Sequence, residues 1–260
     1  VVRQQNQDDF HIELTQPDVA LGIVCDGMGG ARAGNVASRL AVDTFLDTAR
    51  ERSVDQWRAD PEALLNFGAE QANQAVHFRA GIDAECRGMG TTMVAVLVIG
   101  EMAYLLNIGD SRAYLVNAGG IQRLTRDHSV VEDLVAKGRI TPEEARQHPQ
   151  KNLITRALGS ESQLRADLYR QPLKEGDWLL LCSDGLSNVV TEQEILYSFD
   201  GLTLCPEVAS QTVGVQTFHH DTAFDIAAAR PALTAGKGKL VFGADWLDLI
   251  HDFFVHFVPP

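Results

Sequence analysis

Ala20-Leu21-Gly22-Ile23-Val24-Cys25-Asp26-Gly27-Met28-Gly29-Gly30 is the stretch of sequence that decides the fold. Its apolar first half predicts a buried β-strand that carries Asp26 to the strand end. The glycines allow a tight turn before a helix, and the Gly27 carbonyl offers a further oxygen ligand. Taken alone, the motif is more often a plain glycine turn. A phosphate-binding loop is disfavoured, because the lysine that such loops carry is missing.

Three other turns repeat this arrangement of a carboxylate beside an apolar run. They are Asn6-Gln7-Asp8, Ile108-Gly109-Asp110-Ser111-Arg112 and Cys182-Ser183-Asp184-Gly185. Carboxylates that are far apart in sequence but share this setting predict a divalent-metal centre assembled by the fold. Such a centre can transfer phosphoryl groups without a protein nucleophile.

Local patterns leave several of these residues with two interpretations. Asp8 and Asp9 point to opposite sides of a strand, and Asp8 is favoured for the site because it follows Asn-Gln. Asp110 is equally well explained as a ligand at the rim or as a turn residue paired with Arg112. Arg3 suits bidentate phosphate binding, although a lone terminal arginine is more often a solvated charge.

Composition bounds the class of protein. The 260 residues, 45% of them hydrophobic, predict one large domain. A net charge of −13 argues against nucleic acid or an anionic membrane as a partner, and the longest apolar run, 93–99, is too short to span a bilayer. The four cysteines form no Cys-x-x-Cys pair, which favours reduced, buried thiols in a cytoplasmic protein.

Periodicity and turn signals predict an α+β fold with antiparallel hairpins. The predicted strands are 11–14, 20–25, 91–99, 102–107, 113–116, 121–124, 163–171 and 178–182. The predicted helices are 32–50, one beginning near 61, 130–137, one opened by 141–144 and one capped at 191–194. Residues beyond about 206 show no clear pattern.

Seven motifs occur in one order: Arg-x-x-Asn-Gln-Asp-x-Phe (3–10), Asp-Gly-Met-Gly-Gly (26–30), Gly-Thr-Thr (90–92), Asn-x-Gly-Asp-Ser-Arg-x-Tyr (107–114), Leu-Thr-x-Asp-His-Ser (124–129), Ile-Thr-Arg-Ala-Leu-Gly (154–159) and Cys-Ser-Asp-Gly-Leu (182–186). Over residues 1 to about 200 the chain resembles the metal-dependent protein phosphatases of type 2C, especially the compact bacterial ones. The resemblance implies a four-layer α-β-β-α sandwich, with two antiparallel sheets flanked by helix pairs.

The resemblance also implies the roles of individual residues. Asp26 would bridge two Mn²⁺ or Mg²⁺ ions, the Gly27 carbonyl and Asp184 would be ligands, and Asp8 would hold metal-bound water. Asp110 would contribute to a third, weaker ion, and Arg3 would grip the phosphate. The segment 128–156 would form a flap beside the cleft. Water activated between the ions would then hydrolyse phosphoserine and phosphothreonine.

Partners follow from the same resemblance. The expected substrates are phosphorylated proteins, with a cognate Ser/Thr kinase as the opposing enzyme of a signalling pair. The chain, 1–260, is expected to be a single catalytic domain and a monomer, with residues 206–260 atypical of the family.

Two departures from the family pattern stand out. Met28 replaces a histidine of eukaryotic relatives, and His128 is a poor substitute because it is expected to cap the following helix. The last core ligand is expected at Asp221, with Asp225 as the alternative, yet the surrounding sequence matches the family only faintly. A catalytically impaired domain that binds phosphoproteins or a kinase is therefore the second hypothesis, and a hydrolase of small phosphate esters is a third.

Overall fold

Two antiparallel β-sheets stack face to face in the computed structural model, which describes residues 6–30, 32–200, 215–218 and 252–256. The strands are β1 (Asp8–Gln16), β2 (Val19–Met28), β3 (Gly90–Thr91), β4 (Met93–Ile99), β5 (Met102–Ile108), β6 (Arg112–Asn117), β7 (Gly120–Arg123), β8 (Asp167–Pro172), β9 (Trp178–Cys182), β10 (Val215–Phe218) and β11 (Asp252–His256). The helices are α1 (Ala33–Arg50), α2 (Val54–Ala59), α3 (Pro61–Ile82), α4 (Val130–Ala136), α5 (Pro142–Gln147), α6 (Asp184–Ser187) and α7 (Glu192–Asp200), with a single 3₁₀ turn at Ala84–Cys86.

Each sheet is built from hairpins and longer connections. The first sheet has the order β1-β2-β4-β5-β8, with β3 pairing on β2. The second has the order β10-β11-β9-β6-β7. Every pairing is antiparallel, and β4-β5 and β6-β7 are hairpins that the short loops predicted.

Alternation along β2 divides the core into layers. Leu21, Ile23 and Cys25 face the outer side of the first sheet, where they pack with α1 and α3. Ala20 and Val24 face the other way, into the layer between the sheets. This period of two is what a strand buried on both faces requires.

The second sheet is covered on its outer side by α6 and α7. Trp178 and Leu180 of β9 pack there against Ile195 and Phe199, and the Trp178 and Phe199 rings meet edge to face with centroids 5.6 Å apart. Helices therefore lie outside both sheets. The predicted four-layer α-β-β-α sandwich is confirmed.

Capping residues place several of the helices where the sequence predicted them. Asp60 accepts a hydrogen bond from the Ala63 amide at the start of α3, and Thr141 forms a capping box with Glu144 at α5. The short helices α2 and α6 were not predicted, although α2 opens on a Ser53–Gln56 capping box. The expectation that His128 caps α4 is wrong, because the N-cap is Ser129, whose side chain accepts from the Glu132 amide.

Three residues with expected roles, Arg3, Asp221 and Asp225, lie outside the described residues. The single-domain organisation of 1–260 stays a prediction. Among the helices in the described part of the chain, none combines the length and apolar character needed to cross a membrane.

Candidate metal centre

Asp26 stands near the end of β2, a strand that pairs with β1, β3 and β4. Its amide donates to Thr92 Oγ1 at 2.9 Å, and its carbonyl accepts from the Thr92 amide at 2.9 Å and from Thr91 Oγ1 at 2.9 Å. Thr92 Oγ1 also lies 2.7 Å from Ser111 Oγ. The backbone beneath the carboxylate is therefore held from β2, β3 and the turn before β6.

Strand alternation brings Asp8 beside Asp26 and sends Asp9 away. Asp8 is the register partner of Asp26 across β1 and β2, and its Oδ2 accepts a 2.9 Å hydrogen bond from Ser183 Oγ. Asp9 lies on the helix side of the sheet, near Arg39 and Asp43 of α1, and burial raises its pKa. Of the two neighbours, Asp8 is the one that faces the edge of the layer between the sheets.

Asp8, Asp26 and Asp184 form an acidic cluster at this edge. Asp8 is the register partner of Asp26, and the charges of both Asp8 and Asp184 act on the Asp26 carboxyl. Burial, followed by the charges of Asp8 and Asp184, raises the pKa of Asp26 well above its usual range. Like charges gathered in a partly buried site require either a shared proton or a cation.

Asp110 joins the cluster from the turn between β5 and β6. Burial, then the charges of Asp184 and Asp127, raises the pKa of Asp110 to about 7. Arg112 is committed elsewhere, because it binds Asp127 in a fork with distances of 2.6 to 3.1 Å. The interpretation of Asp110 as a turn residue paired with Arg112 is therefore not what the geometry favours.

Gly27 is packed too tightly for a side chain. Its amide donates to the Gln7 carbonyl at 3.0 Å, and a Cβ atom here would overlap the carbonyl oxygen of Gly34 at the start of α1. The Gly27 carbonyl itself lies toward Gly34. Only glycine lets the β1 end, the β2 end and α1 meet beside the cluster.

The donors gathered here suit hard divalent cations. Asp8, Asp26, Asp110 and Asp184 are all partly exposed at the site and offer carboxylate oxygens, which Mg²⁺ and Mn²⁺ accept. Among the described residues, no three His, Cys, Asp or Glu side chains stand in an arrangement that could already hold a metal ion. The donor chemistry fits such ions.

Some residues of the site gave no sequence signal of their own. Thr92 and Ser183 belong to motifs that the sequence singled out, but their roles in holding Asp26 and Asp8 depend on contacts across 66 and 175 residues. Gln7 was likewise only a turn residue in the sequence, whereas its Nε2 donates to the Gly30 carbonyl at 2.6 Å.

Cys25 lies next to Asp26 but faces the opposite way. Its side chain is fully buried against α1 and α3. Burial, followed by the charges of Asp9, Asp26 and Asp8, raises the pKa of the Cys25 thiol well above its usual range. A thiol that stays protonated in the core is a poor nucleophile.

Comparison with known proteins agrees with this geometry. The family model described as protein phosphatase 2C matches residues 2–215. The serine/threonine phosphatase Stp of Listeria welshimeri is 38% identical over 194 residues, which cover 75% of this chain and 77% of the relative. Protein phosphatase PhpP of Streptococcus pneumoniae is 40% identical over 201 residues, which cover 74% of this chain and 78% of the relative.

A solved structure extends the likeness to the whole fold. The catalytic domain of the serine threonine protein phosphatase PstP, in complex with two manganese ions, superposes with a TM-score of 0.69 at 30% identity, covering 98% of this chain and 92% of that one. The fold and these matches define a phosphoprotein phosphatase. The chain belongs to the protein phosphatase 2C family and is a serine/threonine phosphatase of the bacterial type.

Proposed function

We propose that this protein hydrolyses phosphoserine and phosphothreonine in proteins by direct attack of water, with two Mn²⁺ or Mg²⁺ ions as cofactors and a third, weaker one. The observation that carries the proposal is the acidic cluster, in which Asp8 is the register partner of Asp26 and the charges of Asp8 and Asp184 act on the Asp26 carboxyl. When bound, the ions lower the pKa of water and neutralise charge on the phosphoryl group. The manganese-bound PstP structure supports this choice of cation.

The chain supplies ligands and orientation. Asp26 is proposed to contact both core ions, with the Gly27 carbonyl and Asp184 as further ligands. Asp8, whose Oδ2 is fixed by Ser183 Oγ, orients the attacking water. Asp110 is proposed for the third ion, because its carboxyl lies within the field of Asp184.

Two proposed residues lie outside the described part of the chain. Arg3 binds the phosphate of the substrate, so Arg3→Ala raises KM more than it lowers kcat; an unchanged KM would remove Arg3 from the site. Asp221, or failing it Asp225, completes the shell of one core ion.

The partners proposed are phosphorylated proteins and an opposing Ser/Thr kinase. The protein is further proposed to act in the cytoplasm as a monomer, without binding nucleic acid or membrane. Its net charge of −13 supports the exclusion of polyanionic partners.

Hydrolysis of a phosphoserine peptide tests the proposal directly. We expect phosphate release with MnCl₂ that EDTA abolishes and that Asp26→Ala removes. Cys25→Ser is the matched control one residue away and keeps most of the activity, since its thiol faces the core. A dead Cys25→Ser variant that is still folded would overturn attack by water, and faster release from a sugar phosphate would overturn the substrate class.

A second candidate function is a catalytically impaired domain that binds phosphoproteins or a kinase. It is favoured by one observation: the family match ends at residue 215, before the segment that must supply the last ligand. Titration calorimetry of Mn²⁺ into metal-free protein, with Asp221→Ala alongside, separates the two. Two tight sites, one of them lost in Asp221→Ala, support the enzyme; one weak site that ignores the substitution supports the binding domain.

A further inference from the structure

His128 is buried at the base of the 128–156 segment and is bound twice to Gly109. The His128 amide donates to the Gly109 carbonyl at 2.8 Å, and the Gly109 amide donates to His128 Nδ1 at 3.1 Å. Gly109 is the residue directly before Asp110. The His128 ring does not cap α4. It binds the turn that carries Asp110, one of the acidic residues of the site.

The direction of these hydrogen bonds fixes the form of the imidazole. A backbone amide can only donate, so Nδ1 must be the unprotonated nitrogen and Nε2 carries the proton. Two groups lie 3.1 Å from Nε2: Asp167 Oδ2, which can accept that proton, and Arg156 Nη1. Burial lowers the pKa of His128, which agrees with a neutral ring. Arg156 Nη1 donates to the other oxygen of Asp167 at 2.8 Å.

The same contacts close the base of the segment. Thr155 donates its amide to the His128 carbonyl at 2.7 Å, and Val130 donates to Leu153 at 3.0 Å. His128 and Arg156, which begin and end the segment, therefore meet on one carboxylate of β8.

The Gly109-Asp110 turn depends on this support. Gly109 has φ of +102°, and it packs so closely on Thr92 that an added Cβ would lie 2.6 Å from Thr92 Cγ2. Asn107 Nδ2, two residues before Gly109, donates to the Arg126 carbonyl at 3.0 Å and so ties the turn to the segment that leads to His128. His128 Nδ1 is the acceptor for the one amide that immediately precedes Asp110.

We propose that His128 is a positioning residue, whose Nδ1 fixes the Gly109-Asp110 turn and so sets the affinity of the cation site to which Asp110 contributes. This inference rests on the proposed function. The imidazole touches neither substrate nor cation; it holds the backbone from which Asp110 reaches the acidic cluster. An orienting hydrogen bond of this kind changes metal affinity by about 10–100-fold.

Two substitutions separate the two ring nitrogens. In His128→Asn the amide oxygen replaces Nδ1 as acceptor for Gly109, whereas in His128→Gln the longer amide reaches toward Asp167 and leaves Gly109 without its acceptor. We expect titration calorimetry of Mn²⁺ into metal-free protein to show the weakest site about tenfold weaker in His128→Gln and within about threefold of wild type in His128→Asn. The tighter sites stay unchanged in both variants.

Equal weakening of all sites, or identical affinities in the two variants, would overturn the positioning role. Because His128→Gln can fail to fold, the wild-type protein supplies a second measurement. With ¹⁵N labelling and a Mg²⁺ titration, the His128 ring nitrogens and the Gly109 amide should shift together with the weakest binding step. Signals that stay still through that step would overturn the inference, whereas wild-type protein that binds no cation would overturn the proposed function as well.

Discussion

Two groups of buried acids lie at the same end of the sandwich, and they are treated in opposite ways. In the acidic cluster, Asp26 is surrounded by Asp8 and Asp184, and its pKa is raised well above its usual range by burial and by those charges. In the loop between β7 and α4, Asp127 is held by the Arg112 fork at 2.6 to 3.1 Å and approached by Arg123 at 3.8 Å.

The difference shows which acids serve the structure and which serve the chemistry. A buried carboxylate with a matched arginine is satisfied by the fold, and a variant that removes one partner leaves an unpaired charge. A carboxylate surrounded by other carboxylates is left unsatisfied by the fold, so it is completed by a cation or a proton. Distance along the chain does not distinguish the cases, since Asp110 and Arg112 are two residues apart.

Alanine substitutions in the two groups should therefore act in opposite directions on stability. Asp127→Ala leaves Arg112 without its partner and is expected to lower the free energy of unfolding of the metal-free protein by about 3–5 kcal/mol. Asp26→Ala relieves repulsion and does not lower it, although phosphatase activity is lost. Urea denaturation in EDTA measures both. Equal destabilisation by the two substitutions would contradict the comparison.

Neighbouring positions in β1 allow a finer test within the acidic cluster. Asp8→Ala should lower kcat about 10–100-fold, because Asp8 is bound to Ser183 at the site. Asp9→Ala is the matched control on the helix side of the same strand and should change kcat less than about twofold. Steady-state kinetics with a phosphopeptide and Mn²⁺ decides it. A larger loss in Asp9→Ala would reverse the assignment.

Gly109 joins the two groups, since its turn carries both Asp110 and Arg112. Gly109→Ala places a Cβ 2.6 Å from Thr92 Cγ2 at φ of +102°, so we expect a loss of about 1–3 kcal/mol in unfolding free energy. Gly120→Ala is a control whose backbone is also outside the range of L residues, with φ of +124° but no atom within 4 Å of the added Cβ. We expect Gly109→Ala to lower the thermal unfolding midpoint more than the control substitution does. Equal midpoints would mean that backbone strain alone, without the clash, causes the loss of stability.

The smallest effect is expected where an ion pair is exposed. Arg170 binds Glu62 at 2.6 Å, and 64% of the Arg170 side chain is accessible. Arg170→Ala should change the free energy of unfolding less than any substitution above, although its geometry resembles that of Arg112 and Asp127. Denaturation at low and high salt checks this; a loss comparable to that of Asp127→Ala would mean that burial is not what separates strong pairs from weak ones.

Much of the fold was predictable because its signals are local. The strand 178–182 was predicted with the bounds that the structure shows, and the helices near 33–50 and 61–82 follow from an apolar face and from the Asp60-Pro61 start. The α2 and α6 helices were missed, since segments of six and four residues carry little periodicity. Sequence order predicted the hairpins β4-β5 and β6-β7 correctly. The predicted hairpin across Gly109-Asp110 is wrong, because β5 and β6 lie in different sheets.

The candidate carboxylates could be singled out because each lies beside an apolar run and belongs to a motif. Alternation separates Asp8 from Asp9, but only the register of β1 on β2 places Asp8 beside Asp26. What sequence could not give is the set of supports, because Ser183 meets Asp8 across 175 residues and His128 meets Gly109 across 19. The prediction that His128 caps α4 is wrong. His128 directly precedes the helix in sequence, and only the fold shows that its side chain binds the Gly109 turn instead.

The position of β2 has a consequence for how the protein opens. From Val19 to Val24 the strand is hydrogen-bonded to β1 on one edge and β4 on the other, and its side chains are buried. In α4 and α5, on the segment beside the site, no residue is buried. Amide hydrogens of β2 should therefore exchange with deuterium only when the whole domain unfolds, and those of α4 and α5 through local opening. The strand that carries Asp26 opens last, and the segment that would meet a protein substrate opens first.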